Sequence, residues 1–211
     1  MGDKETLLVD VCCGPCAVPL EELFSNPENI YAKQFDVILY VTNSNVHPFT
    51  EYVRRLQGIR HVAKYYKNML IIDAYNPREW LERMKGLEND PEGGKRCEAC
   101  YRYRLEKAAD YALSHGYKTF TSTITTGPPK DAEVVNRIGK EIAAGKGLQF
   151  MELDLKKRGG FLKSVMMSKK LGLYRQNYCG CIFSMSQQKG GKGAKKAGMK
   201  TAPRLEKETM A

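Results

Sequence analysis

Thr6-Leu-Leu-Val-Asp-Val-Cys-Cys-Gly-Pro-Cys16 decides the fold. Its first half is a short apolar run with β-branched residues, the composition of a buried strand, and it breaks at once into a Gly-Pro turn. Residues 19–24 then suit the start of a helix, since proline is tolerated in a first helical turn. The same alternation repeats downstream. Strands are expected over residues 35–41, 69–74, 117–124 and 148–153. Helical spacing of apolar residues marks 49–66, a short stretch from Pro77 and 96–115; Asp131 is placed to cap a helix over 134–143, and a last helix runs from Gly159 to Gly172. Strands and helices in alternation predict an α/β fold, a doubly wound, mostly parallel five-stranded sheet. Such sheets bind ligands beyond the carboxyl ends of their strands. Here the end of the first strand delivers Asp10, Cys12, Cys13 and Cys16 to that crevice.

The chain has 211 residues, enough for one well-cored domain. The expected division is an α/β domain over 1–184 and a basic tail over 185–211. That tail holds 7 of the 34 Lys and Arg and 2 of the 24 Asp and Glu, so it carries half of the net charge of +10. A basic body with a basic tail points to a polyanionic partner. Hydrophobic residues at 42% exclude global disorder. No apolar run reaches the roughly 20 residues that span a bilayer and the first residues lack the pattern of a signal peptide, so the expectation is a cytoplasmic protein without a membrane partner.

Seven cysteines fall in three tight groups: Cys12, Cys13 and Cys16; Cys97 and Cys100; Cys179 and Cys181. Disulfides explain this poorly, because cytosolic thiols are kept reduced; metal chelation explains it better. The pairs Cys13/Cys16 and Cys97/Cys100 share C-x-x-C spacing, and four thiolates suit either structural zinc or an iron–sulfur cluster. Spacing alone leaves both open. Cys12, Cys179 and Cys181 are then left for a second metal, with Asp10 as a hard oxygen ligand. Tyr174-Arg-Gln-Asn-Tyr178, running into Cys179, offers aromatic rings, a guanidinium and amides suited to unpaired bases. Asn45 and His47 follow the second strand as candidate nucleoside contacts, and Trp80 reads as core.

Four segments, Val9-Asp-Val-Cys-Cys-Gly-Pro-Cys16, Asn45-Val-His-Pro48, the stretch from Glu92 to Leu105 and Leu173-Tyr-Arg-Gln-Asn-Tyr-Cys-Gly-Cys181, together resemble the cobalamin-independent epoxyqueuosine reductase family (QueH) over about residues 6–184. The resemblance implies a nucleotide-binding sheet of HUP/PP-loop-like Rossmann type. It also implies reduction of epoxyqueuosine to queuosine, the final step of queuosine biosynthesis, at the wobble nucleotide of a tRNA anticodon loop. A [4Fe-4S] cluster, one additional iron ion and an external low-potential electron donor come with it. On this reading Cys13, Cys16, Cys97 and Cys100 hold the cluster, while Cys12, Cys179, Cys181 and Asp10 surround the second metal. Asp10 and Tyr178 are the candidate catalytic groups. Asn45, His47, Lys130, Tyr174, Arg175, Gln176 and Asn177 are the candidate tRNA contacts. The rival from another class is a zinc-stabilised, non-catalytic RNA-binding module. A sulfur-transfer enzyme is disfavoured, because it would want a Gly/Ser-rich phosphate loop where this chain has cysteines.

Overall fold

The computed structural model describes residues 4–157 and 159–185. The expected tail lies almost wholly outside the described residues. The chain alternates as read: β1 (Glu5–Asp10), α1 (Gly14–Ser25), α2 (Ile30–Gln34), β2 (Phe35–Val41), α3 (Phe49–Tyr66), β3 (Met69–Ile72), α4 (Pro77–Arg83), α5 (Lys95–Ser114), β4 (Thr119–Ser122), α6 (Ala132–Lys146), β5 (Gln149–Phe150) and α7 (Gly160–Lys170). The strands form one sheet in the order β3-β2-β1-β4-β5, and every neighbouring pair is parallel. The winding reverses between β1 and β4, so the ligand crevice opens at the carboxyl ends of those two strands.

Alternation along the central strand sets the two faces. Leu7 and Val9 pack with Val18, Leu20, Ile59 and Val62 under α1 and α3. Leu8 packs with Leu105, Ala108, Phe120, Ile138 and Ile142 under α5 and α6. Among the described residues no helix is long and apolar enough to cross a membrane.

α1 begins five residues before the expected start, and Pro19 lies inside it. Proline removes the N–H that would bond the carbonyl four residues back. The Pro15 carbonyl thus released accepts instead from the Ser164 hydroxyl of α7 at 2.6 Å. The break that would end a solitary helix is converted into an attachment point for α7. Close approach of α1 and α3 adds to this: a Cβ on Gly14 would lie 2.7 Å from the Gly58 carbonyl oxygen. The short α2, capped by the Asn29 side chain, was not expected. β3, β4 and β5 are shorter than expected. β4 ends at Ser122, and the Thr123 N–H donates to the Asp10 carbonyl at 2.9 Å as the last bond of the β1–β4 ladder.

α1 also buries a carboxyl. Glu21 is fully buried, and its Oε2 accepts from Asn68 Nδ2 at 2.6 Å. Its Oε1 has no partner. Burial pushes Glu21 up to about 7 from an ordinary 4.5. A carboxyl raised in the folded state favours folding below its unfolded value, and that contribution is lost as pH rises through the folded value. Glu21→Gln has nothing to ionise. Its melting temperature is therefore expected to exceed the parent's above pH 7, by about 2–3 kcal/mol in stability, with the gap closing toward pH 4.5. Parallel melting curves across that range would contradict the assignment.

Candidate metal and substrate site

After β1 the backbone turns at Cys12, Cys13 stays extended as the N-cap, and α1 begins at Gly14. This winding folds three cysteines over one point: the Sγ atoms of Cys12, Cys13 and Cys16 all lie within 4.8 Å of one another. Thr123 Oγ1 accepts from the Cys12 N–H at 3.4 Å. Gln176 Nε2 donates to Cys13 Sγ at 2.9 Å, and Gln176 Oε1 is buried without a partner. Hydrogen bonds from Cys13 and Cys16, with Arg104 and Arg55 nearby, pull the Cys12 thiol well below its ordinary value. Burial and the Cys12 charge push Cys13 up to about 12.

The other four cysteines come from two segments. In the first turns of α5, Cys97 Sγ accepts from the Gly93 N–H at 3.2 Å and Cys100 Sγ from Trp80 Nε1 at 3.4 Å. Cys100, Cys179 and Cys181 share a cluster with Trp80, Met84 and Tyr103. Cys179 is drawn down to about 5, chiefly by its hydrogen bond with Cys181 and then by Lys130.

Arg55 of α3 fastens the Cys179-Gly-Cys181 turn from behind. It donates to the Cys179 carbonyl at 2.8 Å and the Tyr178 carbonyl at 3.0 Å. Glu51 accepts from Arg55 at 2.8 Å and from the Tyr174 hydroxyl at 3.0 Å. Gly180 has φ of +111°, and a Cβ there would lie 2.8 Å from an Arg55 nitrogen. Both conditions require glycine.

Beneath the cysteines lies a buried ionic knot. Arg104 donates to both carboxylate oxygens of Asp10, at 2.6 and 3.2 Å, and to the side-chain oxygens of Asn43 and Asn45 at 2.5 and 2.8 Å. Ser122 donates to Asp10 at 2.8 Å. Burial pushes Asp10 up while Arg104 pulls it down; a two-pronged guanidinium contact at these distances holds the carboxyl as a carboxylate.

These parts surround one cavity of about 400 Å³, lined by Cys12, Cys16, Cys97, Cys100, Cys179 and Cys181 among others. All seven cysteines are free thiols. The structure brings Cys12 to Cys13 and Cys16, from which the division by spacing had separated it. Asp10 does not line the cavity; its oxygens are taken by Arg104 and Ser122. Lys130 lines the cavity but is paired with Glu92 at 3.0 Å.

The expected tRNA contacts divide similarly. Asn45, Arg175, Gln176 and Asn177 line the cavity, as does Tyr178, the candidate catalytic group. Arg175 nevertheless donates to Ser164 and Ser168 of α7 at 3.2 Å, and the Tyr178 hydroxyl donates to the His47 carbonyl. Tyr174 is spent on Glu51. His47 packs 5.3 Å from Trp80, with Nε2 buried and unpartnered. Sequence reasoning missed Arg55, Arg104 and Tyr101, all three of which line the cavity, and it read Trp80 as core only. Trp80 is fully buried yet lines the cavity and donates to Cys100.

Comparison with known proteins places this geometry in context. A solved structure of similar fold is the U34-tRNA thiolase NcsA from Methanococcus maripaludis with its [4Fe-4S] cluster, at a TM-score of 0.53 and 13% identity. The likeness covers 87% of this chain and 62% of that one, and it shows the fold alone. The epoxyqueuosine reductase QueH of Streptococcus pyogenes serotype M1 is 34% identical over 88% of this chain and 72% of its own length. That of Thermotoga maritima is 32% identical over 87% of this chain and 92% of its own. The family model described as "Epoxyqueuosine reductase QueH" matches residues 7–187, a span that takes in every cysteine, the Asp10–Arg104 knot and the whole cavity wall, and the chain belongs to that family.

Proposed function

We propose that this chain is an epoxyqueuosine reductase, converting epoxyqueuosine to queuosine in the anticodon loop of tRNA with electrons from an external low-potential donor. The observation that carries the reading is the gathering of six cysteines on the wall of one cavity at the sheet's switch point in a member of this family. Taking the oxygen from an epoxide to leave an alkene consumes two electrons and two protons and releases water, chemistry that side chains cannot supply alone.

The donor set fits two metal groups. Tetrahedral thiolates at roughly 2.3 Å from one ion stand about 3.8 Å apart, so Sγ atoms within 4.8 Å of one another suit a single iron held by Cys12, Cys13 and Cys16. Thiolates of a cubane attach to separate irons and stand farther apart, which leaves Cys97, Cys100, Cys179 and Cys181 for a [4Fe-4S] cluster. When bound, such a cluster beside an iron ion supplies electrons and a Lewis acid.

The chain's own residues do the rest. Gln176 donates to Cys13 and orients its sulfur. Asn45, Gln176 and Asn177 present amides to the nucleoside from the cavity wall. Tyr178 carries a phenolic proton at neutral pH and is the candidate donor to the departing oxygen. Asp10 acts as a positioning residue through Arg104, which lines the cavity where Asp10 does not. Lys130 and Arg175 add positive charge for the phosphates.

Anaerobic incubation of the purified, cluster-replete protein with epoxyqueuosine-bearing tRNA and a low-potential reductant, followed by nucleoside mass analysis, tests this. Queuosine is expected. Unchanged epoxyqueuosine would overturn the assignment.

A further inference from the structure

α7 presents a face that nothing among the described residues covers. Leu162 and Met166 are each 61% exposed, unusually open for large apolar side chains. Lys163, Lys169 and Lys170 are exposed beside them. Leu162, Met166 and Lys169/Lys170 recur at helical spacing, so the residues form one stripe along the outer side of the helix. The inner side is committed: Ser164 bonds to α1 through the Pro15 carbonyl, and Met167 and Leu171 pack against the core beneath α1 and α3.

Two observations select an occupant. First, α7 has no acidic residue, and none of its three exposed lysines pairs with a carboxylate among the described residues. A face of unpaired cations interleaved with apolar side chains is complementary to a polyanion that also has flat apolar surfaces, as unstacked nucleotides have. It repels the chain's own basic tail and a second copy of the basic body. Second, the face is continuous with the cavity. Phe161, in the first turn of α7, lines the cavity and is 39% exposed, with the Arg175 guanidinium 5.9 Å from its ring centre. A base worked on inside a cavity must leave its stack, and its chain neighbours then lie at the rim.

We propose that the outer face of α7 is an RNA-docking surface. A nucleotide next to the reacting one stacks on Phe161, and the following phosphates run along Lys163, Lys169 and Lys170 against Leu162 and Met166. This rests on the reading that the substrate is tRNA, and it adds where the tRNA lies.

The experiment measures binding of substrate tRNA at about 50 and 200 mM salt, together with nucleoside analysis of the same preparations. The α7 triple variant Lys163→Gln/Lys169→Gln/Lys170→Gln is compared with Lys33→Gln/Lys64→Gln/Lys118→Gln, whose exposed lysines lie at the opposite end of the sheet. All positions are exposed, and thermal melts check that each variant folds. The α7 triple is expected to lose about 10–100-fold in affinity at low salt, with its salt slope reduced by about 2; the control triple stays near the parent. Leu162→Ser/Met166→Ser is expected to lose affinity with the salt slope unchanged. Equal losses in the two triples would overturn the proposal, because diffuse charge alone would then explain binding. So would α7-dependent binding of anionic phospholipid vesicles without tRNA binding, or α7-dependent self-association. If the parent reduces the base and the α7 triple binds as tightly as the parent, the docking surface falls and the enzymatic reading stands. If tRNA binds through α7 and no base is reduced, the reverse holds.

Discussion

Arg104→Met is expected to lower folding stability by about 3–5 kcal/mol, the usual cost of leaving a buried charge without its partner. Both side chains are buried, at 2% exposure for Arg104 and 0% for Asp10. Loss of the guanidinium also strips Asn43 and Asn45 of a donor. Denaturant melts of anaerobically purified protein measure the change. The control is Asp10→Asn/Arg104→Met, which removes the stranded charge and should recover a substantial part of the loss; a double variant no better than the single would mean that packing, rather than charge, carries the effect. A loss under about 1 kcal/mol for the single variant would place the pair among ion pairs of little consequence. The knot joins β1, α5 and the loop after β2 directly beneath the cysteines, so loosening it is also expected to disturb the cavity.

How much of this was legible in the chain depends on the range of the interaction that decides it. β1, α3 and α5 were readable because apolar period and turn residues are local signals. The true start of α1 was not, since Pro19 lies inside the helix and the carbonyl it frees, that of Pro15, is taken by Ser164, 149 positions beyond Pro15. Arg104 looked like one more cation on a basic helix; its meaning comes from Asp10, 94 positions earlier. Cysteine spacing pointed to metal chemistry and set Cys12 apart from Cys13 and Cys16, whose sulfurs lie within 4.8 Å of its own, because C-x-x-C registers two sulfurs on a helix turn and says nothing of a third in the preceding loop. Tyr174 and Arg175 read as nucleotide contacts by composition. In the fold they also bond to Glu51 and to the serines of α7, and no local signal announces that.

That regrouping makes the sharpest chemical prediction. If Cys97, Cys100, Cys179 and Cys181 hold the cluster, Cys179→Ser and Cys97→Ser proteins purified anaerobically are expected to lose most of their acid-labile sulfide and the associated colour. Cys12→Ser and Cys13→Ser proteins are expected to keep about four sulfides per chain while losing about one iron and reductase activity together. The division by spacing requires the opposite for Cys13, which would then take the cluster with it. Cys13 is the informative position because its neighbours are close enough to discriminate: its sulfur lies 3.9 Å from that of Cys12, a separation suited to one ion. Loss of all sulfide in Cys13→Ser would restore the division by spacing. Retention of sulfide with loss of one iron would mean that the first strand delivers a mononuclear site to the switch point, and that α5 and the Cys179 turn close the cluster against it from the facing wall.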